Sequence, residues 1–179
     1  MASELHVDAI KHSGGTSALT IDSSGNVHKA GMCVQTVDFS YNTEVATSST
    51  SYIHSGITVN LTPKFNNSKI YINAFVHNYI YGEHDHGIAF KVSRTLSGTE
   101  TDIYTPYTHY EIYFYDGTAN TVSHYQMQRT PIFCVDTPNT TSQCTYKIYY
   151  RSMRTSDNNG IEVQGDSNYS HGYLMEIAQ

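Results

Sequence analysis

Tryptophan is absent from this chain, charged residues are scarce at 15%, and cysteine occurs three times. No Lys/Arg cluster interrupts a formal charge of −6, which argues against nucleic acid as a partner and reads simply as a source of solubility. No apolar run approaches the ~20 residues of a membrane-spanning helix, so membrane insertion is not expected. The opening MASELHVDAI has no basic stretch followed by an apolar one, so it is not expected to act as a signal peptide. An odd number of cysteines does not make a closed disulfide framework. Cys134 and Cys144 flank the turn-like DTPNTTSQ and could face each other across a hairpin. With nothing suggesting export, they are expected instead to be small buried apolar side chains, and Cys33 is expected to pack at the start of the main body. Nucleophile elbow, zincin helix, phosphate loop and dinucleotide fingerprint are all missing.

What fills the chain is Ser, Thr, Asn, Gly and 16 Tyr among its 179 residues, a length that allows one domain plus an appendage. Thr, Tyr, Val and Ile favour strands, and the Gly, Asn, Asp and Ser clusters between them favour turns. Residues 1–31 are too polar to make a core. Leu5, Val7, Ile10, Leu19 and Ile21 are sparse apolar positions that must bury against another copy or a larger assembly, and they are the candidate docking residues. Within this segment TSALTIDSSGNVHKAG reads as a hairpin that turns at Asp22–Asn26.

The body, residues 32–179, alternates apolar and polar residues. CVQTVDFS opens it, and NTEVATSSTS reads as a loop or weak edge strand. Ile57, Val59 and Leu61 recur at period two until Pro63 stops them. In KIYINAFVHNYIYG, Ile70, Ile72, Ala74, Val76 and Ile80 take one face while Tyr71, Phe75, Tyr79 and Tyr81 take the other. Further strands carry Ile88, Phe90 and Val92 inward, then Tyr110, Ile112 and Phe114 together, then Tyr146, Ile148 and Tyr150 together. The terminal GYLMEIAQ is expected to close the sheet with Tyr173, Met175 and Ile177 in the core and Glu176 toward solvent or a partner. Roughly eight strands at 10–15-residue spacing, with no helical period, predict an all-β, jelly-roll-like β-sandwich head with a short N-terminal hairpin appendage.

Three segments, TSSTSYIHSGITVNLTPKFNNSKIYI, PIFCVDTPNTTSQCTYKIYYRS and the terminal YLMEIAQ, resemble in order and spacing a virion domain of tailed bacteriophages whose members end in a Met-Glu-Ile-Ala motif. The opening AIKHSGGTSALTIDSSGNV is similar to a short segment that recurs in phage fibre and appendage proteins. The resemblance implies a non-enzymatic virion protein, a homotrimer, with a β-sandwich head and other virion proteins such as the major capsid protein as partners. About 30 residues of appendage reach far enough to plug into a shell but not to form a long stalk, so a capsid-exterior decoration protein or short head fibre is expected. The alternative is the receptor-binding tip of a tail fibre that recognises host surface glycan.

Candidate sites are few. In Glu83-His84-Asp85-His86, His84 and His86 point the same way in an extended segment and could share a metal, but no third ligand is near and a solvated turn is expected. His77, His109 and His124 sit in Tyr-rich strands and read as half-buried sheet residues. Glu111 with Asp116, or Glu83 with Asp85, can be paired on paper as glycosidase carboxylates, but nothing in the spacing favours that over solvated side chains, so no enzymatic activity and no cofactor are expected. Tyr71, Phe75, Tyr79, Tyr113 and Tyr115 lie on Tyr-rich faces and are read as a subunit interface, because strand 69–81 is apolar on both sides.

Overall fold

The computed structural model describes residues 6–82, 85–106, 111–114, 124–155 and 160–179. An N-terminal sheet of three short strands, β1 (Ala9–Lys11), β2 (Ser17–Ile21) and β3 (Val27–His28), precedes the body. The body strands are β4 (Cys33–Tyr41), β5 (Val45–Thr47), β6 (Ile53–Leu61), β7 (Lys69–Gly82), β8 (His86–Leu96), β9 (Thr99–Tyr104), β10 (Ile112–Phe114), β11 (His124–Asp136), β12 (Cys144–Ser152), β13 (Gly160–Val163) and β14 (Ser170–Ile177). One 3-10 turn, Gly165–Ser167, interrupts them.

Every strand pairing among the described residues is antiparallel. The smaller body sheet runs β10-β8-β12-β6, with β9 also on β8. In the larger sheet β14 lies between β4 and β7, and β11 covers the other side of β7 over its whole length. β13 continues along β7 beyond β14 and carries β5 at its edge. Setting aside the short additions, β4-β14-β7-β11 faces β6-β12-β8-β10. The chain crosses between sheets at β4–β6, β6–β7, β7–β8, β10–β11, β11–β12 and β12–β14, which is the double Greek key of a jelly roll. The β-sandwich expected from the sequence is what the chain forms.

One apolar cluster fills the space between the sheets. Ile57, Val59, Leu61, Ile70, Ile72, Ala74, Val76, Ile80, Ile88, Phe90 and Val92 enter it as their period-two pattern predicts, joined by Ile132, Tyr146, Ile148, Tyr150, Ile161, Val163 and Leu174. A charged network crosses between the sheets at one side of this core. Asp136 on β11 accepts two 2.7 Å bonds from Arg94 on β8 and one of 2.8 Å from the Tyr146 hydroxyl on β12. The partners satisfy a carboxylate that would otherwise be costly to bury.

The terminal strand differs from expectation in parity. β14 lies inside the large sheet, between β4 and β7. Leu174, Glu176 and Ala178 are buried, while Tyr173, Met175 and Ile177 stand half-exposed on the outer face. Register is the reason: Leu174 lies opposite Ile72 and Glu176 opposite Ile70, and cross-strand partners share a face. Glu176 is 0% exposed and caps the core rather than meeting solvent. Its carboxylate accepts the backbone N–H of Lys64 at 2.8 Å and of Phe65 at 3.1 Å, the Ser68 hydroxyl at 2.6 Å, and the Gln35 amide. One buried anion thereby satisfies the turn between β6 and β7.

Smaller departures follow from the same physics. NTEVATSSTS supplies the edge strand β5. TETDIY forms β9 through a tight turn at Ser97 and Gly98, both at positive φ; its first four residues are exposed, so no apolar period marked it. β1 was not anticipated. Cys134 and Cys144 do not flank a hairpin, because β11 and β12 belong to opposite sheets; both are free thiols, Cys134 partly buried and Cys144 buried. Burial, then the Asp136 charge, pushes the Cys134 thiol up to about 12. Cys33 is exposed rather than packed.

Candidate functional site

The N-terminal sheet gathers three of the five candidate docking residues, Ile10, Leu19 and Ile21. Ile10 lies opposite Leu19, Leu19 and Ile21 alternate along β2, and Ile21 lies opposite Val27, so all four share one face. Ile10 and Val27 are exposed, Leu19 and Ile21 half-buried. Val7 is half-buried just ahead of β1, and Leu5 lies outside the described residues. The Asp22–Asn26 turn is stiffened by the Asp22 carboxylate, which accepts the N–H groups of Ser24 at 2.9 Å and Asn26 at 2.8 Å. These bonds hold that carboxyl below its ordinary value, the Asn26 contacts first.

The tether to the body is short and defined. The His28 ring packs at a tilt against Phe65 with centroids 4.6 Å apart, and its Nε2 lies 3.1 Å from the Gln179 carbonyl. The Gly31 N–H donates to the Ala178 carbonyl at 2.7 Å, and the Ala178 N–H donates to Met32 at 2.9 Å. A cleft of about 520 Å³ separates the hairpin from the 64–67 turn, lined by Ile21, Asp22, His28, Lys64 and Phe65 among others. The appendage thus meets the body beside the turn that Glu176 holds.

The second candidate is the outer face of the large sheet. Along β11 the even residues point to the core and the odd ones, Tyr125, Met127, Arg129, Pro131, Phe133 and Val135, stand outside. Tyr125 is 67% and Phe133 63% exposed, unusual for such large apolar groups in a contiguous patch. Tyr71, Phe75 and Tyr79 of β7 join them: Tyr71 packs on Phe133 at 6.1 Å, Tyr79 stacks on Tyr125 at 6.1 Å, and Phe75 meets His171 of β14 at 5.8 Å. Tyr113 belongs elsewhere, on β10 of the smaller sheet, and Tyr115 lies outside the described residues. The outward residues of β11 alternate in the sequence around Arg129-Thr130-Pro131, a period-two signal that hydropathy leaves without a face because both sets hold apolar residues.

The outer side of the smaller sheet has the opposite character. Glu100 accepts Tyr149 at 3.0 Å, Ser93 at 2.9 Å and Lys147 at 3.2 Å. Lys91 pairs with Asp102 at 3.0 Å and lies over the rings of Tyr52 and Tyr149. Charges there answer one another in place.

The acid–base candidates are tied into structure. Glu111 accepts the Phe90 N–H and the Tyr104 hydroxyl, each at 2.8 Å; burial, with that bond adding, pushes the Tyr104 hydroxyl up to about 12. Asp85 pairs with Arg154 at 3.2 Å. Asp116, Glu83, His84 and His109 lie outside the described residues. His86 is buried rather than at a solvated turn, in a triangle of rings with Phe114 at 5.1 Å and His124 at 6.0 Å. Among the described residues no group of three or more His, Cys, Asp or Glu is placed to hold a metal. His77 is 4% exposed, deeper than the half-buried position expected, because the turn at 164–167 covers it; the Gln164 N–H donates to the His77 carbonyl at 3.1 Å.

No protein-family model matches the chain, and no curated protein matches it. Solved structures similar to it include one of infectious bursal disease virus, Gx strain, at 11% identity and a TM-score of 0.29, over 96% of this chain and 47% of that one. Another is the VP2 subviral particle of infectious bursal disease virus, at 13% identity and a TM-score of 0.30, over 97% of this chain and 42% of that one. The chain spans less than half the length of either.

Proposed function

We propose that this chain is a non-enzymatic structural protein of a tailed-bacteriophage virion. In this reading it is a capsid-exterior decoration protein or short head fibre, docked through residues 1–31 and associated as a homotrimer through its head. The observation that carries the reading is the N-terminal sheet: Ile10, Leu19, Ile21 and Val27 line one face of an element that lies outside the body's core. Such a face gains stability only against a partner. The jelly roll itself recurs in capsid, lectin and cupin domains, so it is compatible with the role without selecting it. The engagement of Glu100, Glu111 and Asp136 in structural hydrogen bonds favours scaffold over catalyst.

The test is reconstitution. The full chain should bind particles that lack it, and a chain beginning at Met32 should melt cooperatively yet fail to bind. Binding by the truncated form would refute N-terminal docking. Competition by the free protein with phage adsorption to host cells would replace this reading with the receptor-binding one, in which host surface glycan is the ligand. Light scattering should give a mass three times 20.1 kDa.

A further inference from the structure

The outer face of the large sheet carries opposite charges at opposite edges. Asp38 on β4, Tyr173 on β14, Asn73 on β7 and Phe133 on β11 form one row across four strands. Arg129 lies on the same face of β11, four residues from Phe133. With strands ~4.8 Å apart and ~3.4 Å per residue, Asp38 and Arg129 stand about 20 Å apart in one molecule, too far to pair. Both are exposed, and neither makes an ion pair among the described residues. Tyr173 of β14 and Phe75 of β7 lie between them, Phe133 stands on the strand of Arg129, and Tyr71 extends the aromatic patch beyond the row.

From this arrangement we infer that the face is a self-association surface on which Arg129 of one copy meets Asp38 of the next. Further copies of this chain are the occupant whose same face carries the complement of each charge. Size agrees: the face covers roughly 500 Å² in projection before side-chain relief is counted, on the order of the ~800 Å² each partner gives to a standard interface. The edge of β11 away from β7, unpaired among the described residues, is a poorer place to join copies by strand pairing. Pro131 sits near its middle without an N–H to donate, which favours contact through the face instead. The apolar centre provides the attraction, and the charged edges fix orientation and reject a slipped packing.

The inference deepens the oligomeric reading proposed above, but the pairing and the copy number are tested apart. Arg129→Glu and Asp38→Arg are made singly and together, and association is followed by sedimentation and light scattering. Each single reversal should weaken association about tenfold, and the double reversal should restore it. Unchanged association in either single variant, or a double variant no better than the singles, overturns the pairing. Phe133→Ser should weaken association as well; if it alone does so, the face stands and the charge pairing falls. A wild-type dimer with rescue by the double reversal upholds the pairing and removes the threefold reading. A wild-type monomer at micromolar concentration removes both. Both charged residues are exposed, so all the charge variants should keep the parent's fold, read as an unchanged circular dichroism spectrum.

Discussion

Glu176 and Ile177 are neighbours that should respond to truncation in opposite proportion to their hydrophobicity. Truncation of Glu176 to Ala removes a fully buried carboxylate and leaves the N–H groups of Lys64 and Phe65, the Ser68 hydroxyl and the Gln35 amide without this acceptor. Each orphaned buried donor costs about 1–3 kcal/mol, and water entering the vacated space recovers part of that. The expected loss is about 3–5 kcal/mol, a large share of the ~5–15 kcal/mol that holds a domain of this kind together. It should appear as a fall in melting temperature of about 10 °C. Ile177, half-exposed on the outer face, leaves no enclosed cavity when cut to Ala and should cost about 1 kcal/mol or less. Urea unfolding of both variants at neutral pH makes the comparison. Equal losses, or a greater loss at Ile177, would mean that the register of β14 on β7 has been misread.

Asp136→Asn should cost about 3 kcal/mol in the same assay, because the partly buried Arg94 guanidinium loses its charge partner. Gly172→Ala should abolish soluble folding, since an added Cβ would lie 2.1 Å from the Asn73 carbonyl oxygen and 2.8 Å from the Ala74 Cα, both backbone atoms that cannot withdraw. Gly160→Ala should be milder, because its nearest atoms belong to the Tyr81 ring, which can swing away. His77 titrates below its ordinary 6.5, chiefly through burial and secondly through Arg129, with Asp166 opposing. A depressed histidine pKa means that the unfolded chain takes up the proton first. The stability tied to neutral His77 is therefore complete above pH 6.5 and lost as pH falls below it, a slope that His77→Gln should flatten in melts between pH 5 and 7.

Local chemistry determined much of this protein. Strict alternation in residues 57–61, 70–80, 88–92 and 146–150 could be satisfied only by strands with one face in a core, and those side chains are where period two puts them. The hairpin at 17–28 was legible because Asp22, Gly25 and Asn26 carry their turn chemistry within a few residues. Tertiary structure decided the rest. GYLMEIAQ is apolar on both faces apart from Glu176, so its parity could not be settled by hydropathy. Only pairing with Ile70 and Ile72, together with donors from a turn more than a hundred residues away in the chain, made a buried carboxylate cheaper than a buried Ile177. Cys134 and Cys144 looked like hairpin neighbours because sequence proximity suggests a shared sheet; the jelly-roll crossover puts them in opposite ones. Asp38 and Arg129 lie some ninety residues apart and carry no mutual signal in the sequence. They come to share one face because β14 and β7 are laid between their strands, and that arrangement is fixed by burying the other face of the same sheet.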